Sequence, residues 1–436
     1  MWDAFGEHLG ANRHRTAISA GEDQWTNGQL LEAAERSAAS LDRLAVGEGV
    51  VVGLMLQNSP SFVSSFLALC KTGATIALIS PKYGTVELSA IARVVRPRFY
   101  LTTTELAPKL QSCEPIAAIP MSLPPVGREN LQLLETPPQP SPAHLPAGTV
   151  LVKFSSGSTG EPKAIALTSN NLIAESENIA NTLALNPDDH IYAPVPLSHS
   201  YGFDLGVLAS LRSRARLTID ESFIPRRALA TIMRERVSVF LGVPSMYRFF
   251  LDSTSSPPSN LRQVRYMLSC TAPLHPDAVQ SFHRSFGVAI CQHYGSSETG
   301  AVTTHVPERI LDYPESVGRS MVGVRMSVVD ADGKECAPDD PGEVMVRSAA
   351  VAAGYIMGEA PGPAVLRDGE FRTGDIGTLN REGFLHLMGR IDSMINVGGL
   401  KVSPLEVCRV LEHHAAVREA AVSGTRDVNG EEVVYA

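Results

Sequence analysis

Val150-Leu151-Val152-Lys153-Phe154-Ser155-Ser156-Gly157-Ser158-Thr159-Gly160-Glu161-Pro162-Lys163 is an apolar run that passes into a loop of hydroxyls and glycines, with a lysine beyond it. Glycines let a backbone approach an anion closely and turn its N–H groups toward it. The serine and threonine hydroxyls add donors, Ser158 or Thr159 is placed to reach a metal, and Lys163 brings positive charge for phosphate. The spacing of glycines and lysine differs from the Gly-x-x-x-x-Gly-Lys-Ser/Thr P-loop. A flexible Ser/Gly linker has a similar composition, but linkers seldom follow a buried strand and end in Pro-Lys.

Upstream, Thr26-Asn27-Gly28-Gln29 has a capping-box pattern and predicts a helix to about Leu44. Val50–Met55 reads as a buried strand, Pro60–Lys71 as an amphipathic helix and Ala74–Ile79 as a second strand. This alternation predicts a parallel sheet with crossover helices. Prolines cluster between Pro115 and Pro146, which predicts an irregular surface connection before the chain re-enters a strand at Thr149. Downstream, alternation continues to about Gly300, including a strand at Gly287–Cys291. From Ser316 to Leu387 short β-rich runs are punctuated by Asp332-Gly333 and Pro341-Gly342, predicting an antiparallel subdomain.

At 436 residues the chain exceeds what one core usually covers. With 44% hydrophobic and 19% charged residues it is globular in composition. The net charge of −9 does not favour a general nucleic-acid or anionic-membrane surface. No apolar run approaches the roughly 20 residues of a membrane span, and Met1–His8 lacks a signal pattern. The six cysteines form no Cys-x-x-Cys pair, so neither zinc nor a disulfide framework is indicated; reduced thiols predict a cytoplasmic enzyme.

Three further segments carry chemistry. His293-Tyr294-Gly295-Ser296-Ser297-Glu298-Thr299-Gly300 offers an aromatic face and a hard carboxylate suited to Mg²⁺, although a polar turn with one exposed glutamate has the same pattern. Phe371-Arg372-Thr373-Gly374-Asp375, with Gly389-Arg390-Ile391-Asp392, supplies a carboxylate able to accept two ribose hydroxyls and an arginine to back it; a surface ion pair is the plainer alternative. Gly398-Gly399, within Ile395–Glu406, suits close approach of a ligand or an ordinary hairpin turn.

In this order and at these separations the segments resemble the adenylate-forming superfamily: acyl- and aryl-CoA synthetases, luciferase and the adenylation domains of peptide synthetases. Pro196-Leu197-Ser198-His199, Ser269–Leu274 and Gly354-Tyr355 add to the match, which covers nearly the whole chain. The resemblance implies an α/β fold. A large domain over residues 1–390 would hold two mainly parallel sheets with flanking helices and an antiparallel β subdomain. A small α+β domain over 391–436 would follow, incomplete here. It also implies activation of a carboxylic acid by ATP and Mg²⁺, then transfer to the thiol of CoA or of a carrier protein's phosphopantetheine.

By the match, Ser155, Ser156, Gly157, Ser158, Thr159, Gly160 and Lys163 hold phosphates, with Thr159, Lys163 and Glu298 the catalytic set and Glu298 the metal ligand. Ser297 lies near the α-phosphate. Thr271, Gln292, His293 and Tyr294 surround adenine; Asp375 and Arg390 hold the ribose. His199, Tyr201, Cys270 and Gly295 wall the acid pocket, Gly398 and Gly399 line the thiol route, and Asp392 is a hinge. Cys270 replaces a usual glycine and Ala164 the glycine after the lysine. The family's C-terminal adenylation lysine has no counterpart before Ala436, which leaves a non-catalytic nucleotide-binding module as an alternative. Amino-acid-activating members carry an aspartate where the ungapped match places Tyr201, with Asp204 three residues on. This favours an aryl or fatty acid over an amino acid.

Overall fold

The computed structural model describes residues 1–113, 116–119, 129–137, 145–156, 162–253, 261–356, 366–367, 369–397, 400–412, 414, 416–417, 420–426 and 432–436. Among them, two large sheets and one smaller one organise the fold.

The first sheet has eight strands and is parallel at its centre. Val51–Leu54 lies between Thr75–Leu78 and Phe99–Thr103, and Thr149–Ser156 adds beside Thr75–Leu78. Val51–Leu54 and Thr75–Leu78 are buried at every position, as strands covered on both faces must be, and this is why they read as unbroken apolar runs. The flanks are antiparallel: Thr149–Ser156 returns as Pro162–Thr168, and Phe99–Thr103 pairs with Leu131–Glu135. That last strand lies inside the stretch expected to be irregular. Its Leu133 and Leu134 are fully buried, and the short proline-free run suffices for one strand, with Ala117–Ala118 paired beyond it at the edge of the sheet.

The second sheet has nine strands, parallel from Thr16–Ala20 through Arg216–Ile219, His190–Ala193, Val239–Gly242 and Tyr266–Ser269 to Ile290–Ser296. Gly287 ends the helix Pro276–Phe286 at φ +72°, so the strand expected from Gly287 begins at Ile290. The helix Asn27–Asp42 starts at the predicted capping box, with Thr26 and Gln29 bonding reciprocally.

Two features bind the sheets together beneath the site. The helix Pro60–Thr72 is capped by the Ser59 hydroxyl and buries Phe62 and Phe66, whose rings meet Phe203 edge-on at 6.4 and 5.1 Å. Truncating either phenylalanine to alanine would cost about 3–5 kcal/mol. Ahead of that helix, the Asn58 amide donates to the carbonyls of Val195 and Asp220 at 2.8 and 2.9 Å, and its oxygen accepts from Leu197 N at 2.8 Å. One side chain thus holds the Pro196–His199 segment.

The antiparallel subdomain comprises Val324–Val329, Gly342–Ser348, Leu366–Arg367, Glu370–Leu379 and Leu385–Arg390. After it come a short turn Ile391–Ser393, the hairpin Ile395–Val397 and Leu400–Val402, the helix Pro404–Glu412 and the hairpin Ser423–Arg426 and Glu432–Tyr435. Among the described residues no helix is long and apolar enough to cross a membrane.

Candidate active site

A cavity of about 980 Å³ is lined from both large sheets: Ser155 and Lys163 from the first, and His199, Tyr201, Cys270, His293 and Glu298 from the second. Arg390, Asp392 and Ser393 complete its rim. Ser155 is the penultimate residue of its strand and Cys270 directly follows Tyr266–Ser269, so the site uses the carboxyl ends of strands, where open α/β sheets bind ligands. Ser155 is paired opposite Lys163 on two antiparallel strands. Gly157, Ser158, Thr159 and Gly160 lie outside the described residues, as do Gly398, Gly399 and the Ser156 side chain.

The Glu298 turn is braced by its own hydroxyls. Ser296 N donates to Thr299 Oγ1 at 3.1 Å, while Glu298 N and Thr299 N each donate to Ser296 Oγ at 3.2 Å. Ser297 Oγ lies 2.7 Å from Ser200 Oγ. Tyr355 OH donates to Glu298 Oε1 at 3.0 Å, aiming the carboxylate. Both glycines of the turn are required by close packing. A Cβ on Gly295 would lie 2.2 Å from the Gly300 carbonyl oxygen; one on Gly300, at φ +67°, would lie 2.2 Å from Glu175 Oε2.

A second cavity of about 380 Å³ shares Lys163, Ser296, Glu298 and Arg390 with the first and reaches Asp375. Asp375 and Arg390 sit opposite each other on paired strands. Asp375 Oδ2 accepts from Tyr294 OH at 2.6 Å and Oδ1 from Arg390 at 3.2 Å; Arg390 also donates to Asp392 at 3.1 Å. Burial pushes the Asp375 carboxyl up, against the pull of Tyr294 and Arg390. Tyr294, 81 residues before Asp375, and Arg390, 15 residues after it, therefore form one constellation around its carboxylate.

On the opposite side, the buried rings of Tyr201 and His293 lie 6.0 Å apart at 31°. Tyr201 OH is fixed on the Leu268 carbonyl at 3.2 Å, whereas His293 Nδ1 is enclosed without a partner among the described residues. Burial pulls the His293 imidazole down to about 4 and pushes the Cys270 thiol up to about 12, so both are neutral near pH 7. Thr271 lines the cavity at φ +77°, a conformation uncommon outside glycine. Gln292 is turned elsewhere: its amide donates to the carbonyls of Pro314 and Ser316 at 2.9 and 3.0 Å.

Sequence reading gave no role to a buried ion pair beside these groups. Lys153 Nζ donates to both carboxylate oxygens of Asp204, at 2.6 and 2.7 Å, with each side chain 3% exposed. Asp204 lines the cavity from a π-helical turn, Phe203–Leu208, that follows His199. Behind them Glu175 accepts from Ala301 N at 2.8 Å. Burial first, then the Asp204 charge, push the Glu175 carboxyl up to about 8. The available signal was a lysine inside an apolar strand, because a buried ammonium needs a partner.

A family model described as AMP-binding enzyme matches residues 5–356. The chain belongs to the AMP-binding enzyme family. Similar AMP-binding enzymes include a probable CoA ligase of Humulus lupulus, 29% identical over 96% of this chain and 82% of its own length. Oxalate–CoA ligase of Arabidopsis thaliana is also 29% identical, over 96% and 84%. Among solved structures, O-succinylbenzoate coenzyme A synthetase from Bacillus subtilis, in complex with ATP and magnesium ion, matches with a TM-score of 0.84. That match is at 25% identity and covers 99% of this chain and 88% of that one.

Proposed function

We propose that this AMP-binding enzyme activates a carboxylic acid with ATP and passes the acyl group to the thiol of CoA. The observation that carries the reading is the continuity of Lys163, Glu298 and Arg390 around adjoining cavities, with Asp375 at one end and the Tyr201–His293 wall at the other. In the first step the substrate carboxylate attacks the α-phosphorus of ATP and pyrophosphate leaves. In the second the acceptor thiol attacks the acyl carbon and AMP leaves.

On this reading Ser155, the Ser156–Gly160 loop and Lys163 neutralise the β- and γ-phosphates, and Ser297 lies near the α-phosphate. Asp375 accepts the ribose hydroxyls with Arg390 beside it. Thr271, His293 and Tyr294 border adenine, with Gln292 supporting from behind. His199, Tyr201, Cys270 and Gly295 wall the acid. These groups act by positioning and charge stabilisation rather than covalently. The residues suit Mg²⁺: among the described residues no three metal-ligating side chains cluster, but Glu298 is a buried, oriented carboxylate on the cavity wall. Mg²⁺ typically takes one or two protein carboxylates and completes its shell with phosphates and water. Glu298, with Thr159, would hold it, and it would neutralise phosphate charge. Residues 1–390 form the catalytic domain; 391–436 belong to a mobile domain turning about Asp392, with Gly398-Gly399 along the thiol path.

ATP–pyrophosphate exchange with a panel of carboxylic acids tests the reading, and exchange confined to amino acids would sink it. Product mass spectrometry with CoA and with a phosphopantetheinylated carrier protein separates the two acceptors.

A further inference from the structure

The acid side of the cavity has a wall that is polar yet carries no net charge. Asp204 faces it alongside Tyr201 and Leu205, but both of its carboxylate oxygens are taken by Lys153 Nζ. The lysine rises from the strand that leads into the phosphate segment, two residues before Ser155. The aspartate descends from the π-helical turn after His199. The other titratable groups nearby add no charge. Glu175 Oε2 is enclosed without a partner among the described residues, and its carboxyl, pushed up to about 8, keeps its proton at neutral pH. His199 Nδ1 accepts from Tyr201 N at 3.4 Å, so that ring is not doubly protonated. His293 is held neutral by burial. Burial pushes the Asp204 carboxyl up as well, but Lys153 Nζ at 2.6 and 2.7 Å from its two oxygens pulls the other way and holds it as the anion, so one cation and one anion cancel.

A charged group entering such a wall loses its water without gaining a net counter-charge, and the desolvation cost goes unrepaid. We propose that Lys153 and Asp204 act as specificity residues that restrict this enzyme to acids whose only charge is the reacting carboxylate. Lys153 supplies from within the cation that a substrate amine would otherwise offer to Asp204. Asp204 in turn masks Lys153 from a second carboxylate. The proposal rests on the ligase reading above and narrows its substrate class.

The test is ATP–pyrophosphate exchange by the full chain with three matched acids: a neutral aryl or alkyl acid, its ω-amino analogue and its ω-carboxy analogue. The wild type is expected to favour the neutral acid at least tenfold in kcat/KM. Lys153→Met should raise the relative kcat/KM of the amino analogue at least tenfold, and Asp204→Asn should do the same for the diacid. A wild type that uses charged and neutral acids equally, or ratios unmoved in both variants, overturns the proposal. Each single change strands a buried charge, so thermal melts accompany them. If neither variant folds, Lys153→Met/Asp204→Leu decides: it restores a neutral wall, so a kept preference supports the proposal and a lost one overturns it. No exchange by the wild type with any acid overturns the ligase reading and this inference together. Exchange with unchanged ratios overturns the inference alone.

Discussion

Replacing Gly300 by alanine tests how the Glu298 turn is seated. The new Cβ would meet Glu175 Oε2 at 2.2 Å, Cδ at 2.5 Å and Oε1 at 2.8 Å. None of these can withdraw freely, because Oε1 is bonded to Ala301 N and the side chain is buried. The backbone at φ +67° adds about 1–2 kcal/mol for any residue with a Cβ. Displacing Glu175 strands the Ala301 N–H at about 1–3 kcal/mol. Gly300→Ala should therefore destabilise the protein by about 2–5 kcal/mol. It should also lower Mg²⁺-dependent pyrophosphate exchange at least tenfold, since Glu298 lies two residues upstream. Urea denaturation measures the first effect. In Gly300→Ala/Glu175→Ala the obstructing carboxylate is gone, so the pair should cost less than the sum of the single changes by about 1 kcal/mol or more. A Gly300→Ala protein within about 0.5 kcal/mol of wild type, or strictly additive costs in the double variant, would refute the reasoning.

Asp375→Ala removes the acceptor shared by Tyr294 and Arg390 and should weaken binding of a non-hydrolysable ATP analogue by about 30-fold or more, the scale of one or two charge-assisted hydrogen bonds; unchanged affinity by calorimetry takes Asp375 out of the ribose site. Glu298→Ala should impair Mg²⁺-dependent exchange far more than it lowers the melting temperature, whereas comparable losses would make Glu298 structural. Cys270, its thiol held up to about 12 by burial, should resist iodoacetamide at pH 8 in the folded protein, as read by peptide mass spectrometry. Glu175 gives a pH signature. Its carboxyl is raised from 4.5 to about 8 on folding, so its contribution is full below 4.5 and is lost as pH rises through 8. His293, lowered from 6.5 to about 4, contributes fully above 6.5 and loses that contribution as pH falls toward 4. Between pH 6.5 and 8, Glu175→Gln should therefore flatten the decline of melting temperature with pH, and an unaltered slope would show that Glu175 does not carry the proton.

The parts of the site legible in the sequence are those whose chemistry dictates their own neighbourhood. A glycine–hydroxyl loop ending in Pro-Lys, and a carboxylate followed by an arginine across a hairpin, announce themselves locally; the structure places Ser155 opposite Lys163 and Asp375 opposite Arg390. Lys153 in an apolar strand calls for a partner but does not name one, and only the tertiary fold brings Asp204, 51 residues further on, into one ion pair with it. Glu175 sits in a helix whose mixed polarity gives no hint that this carboxylate faces inward. Gln292 shows the reverse case: its place beside His293 suggests a ligand contact, but alternation along the strand and the loop at Pro314–Ser316 claim its amide. Leu131–Glu135 escaped notice because five residues among prolines give too short a pattern to separate from a loop.

The pairing of Thr16–Ala20 with Arg216–Ile219 governs how the protein can be made. The early strand waits for a neighbour about 200 residues further along, which at ribosomal rates of about 5–20 residues per second is about 10–40 s. Until then the nascent chain displays Ile18 and the edge of Thr16–Ala20 without the strand that later covers it. Production of this enzyme should accordingly depend on whatever shields such an edge during translation, and slower synthesis at low temperature, with chaperones abundant, should raise the soluble yield more than any change to the finished fold.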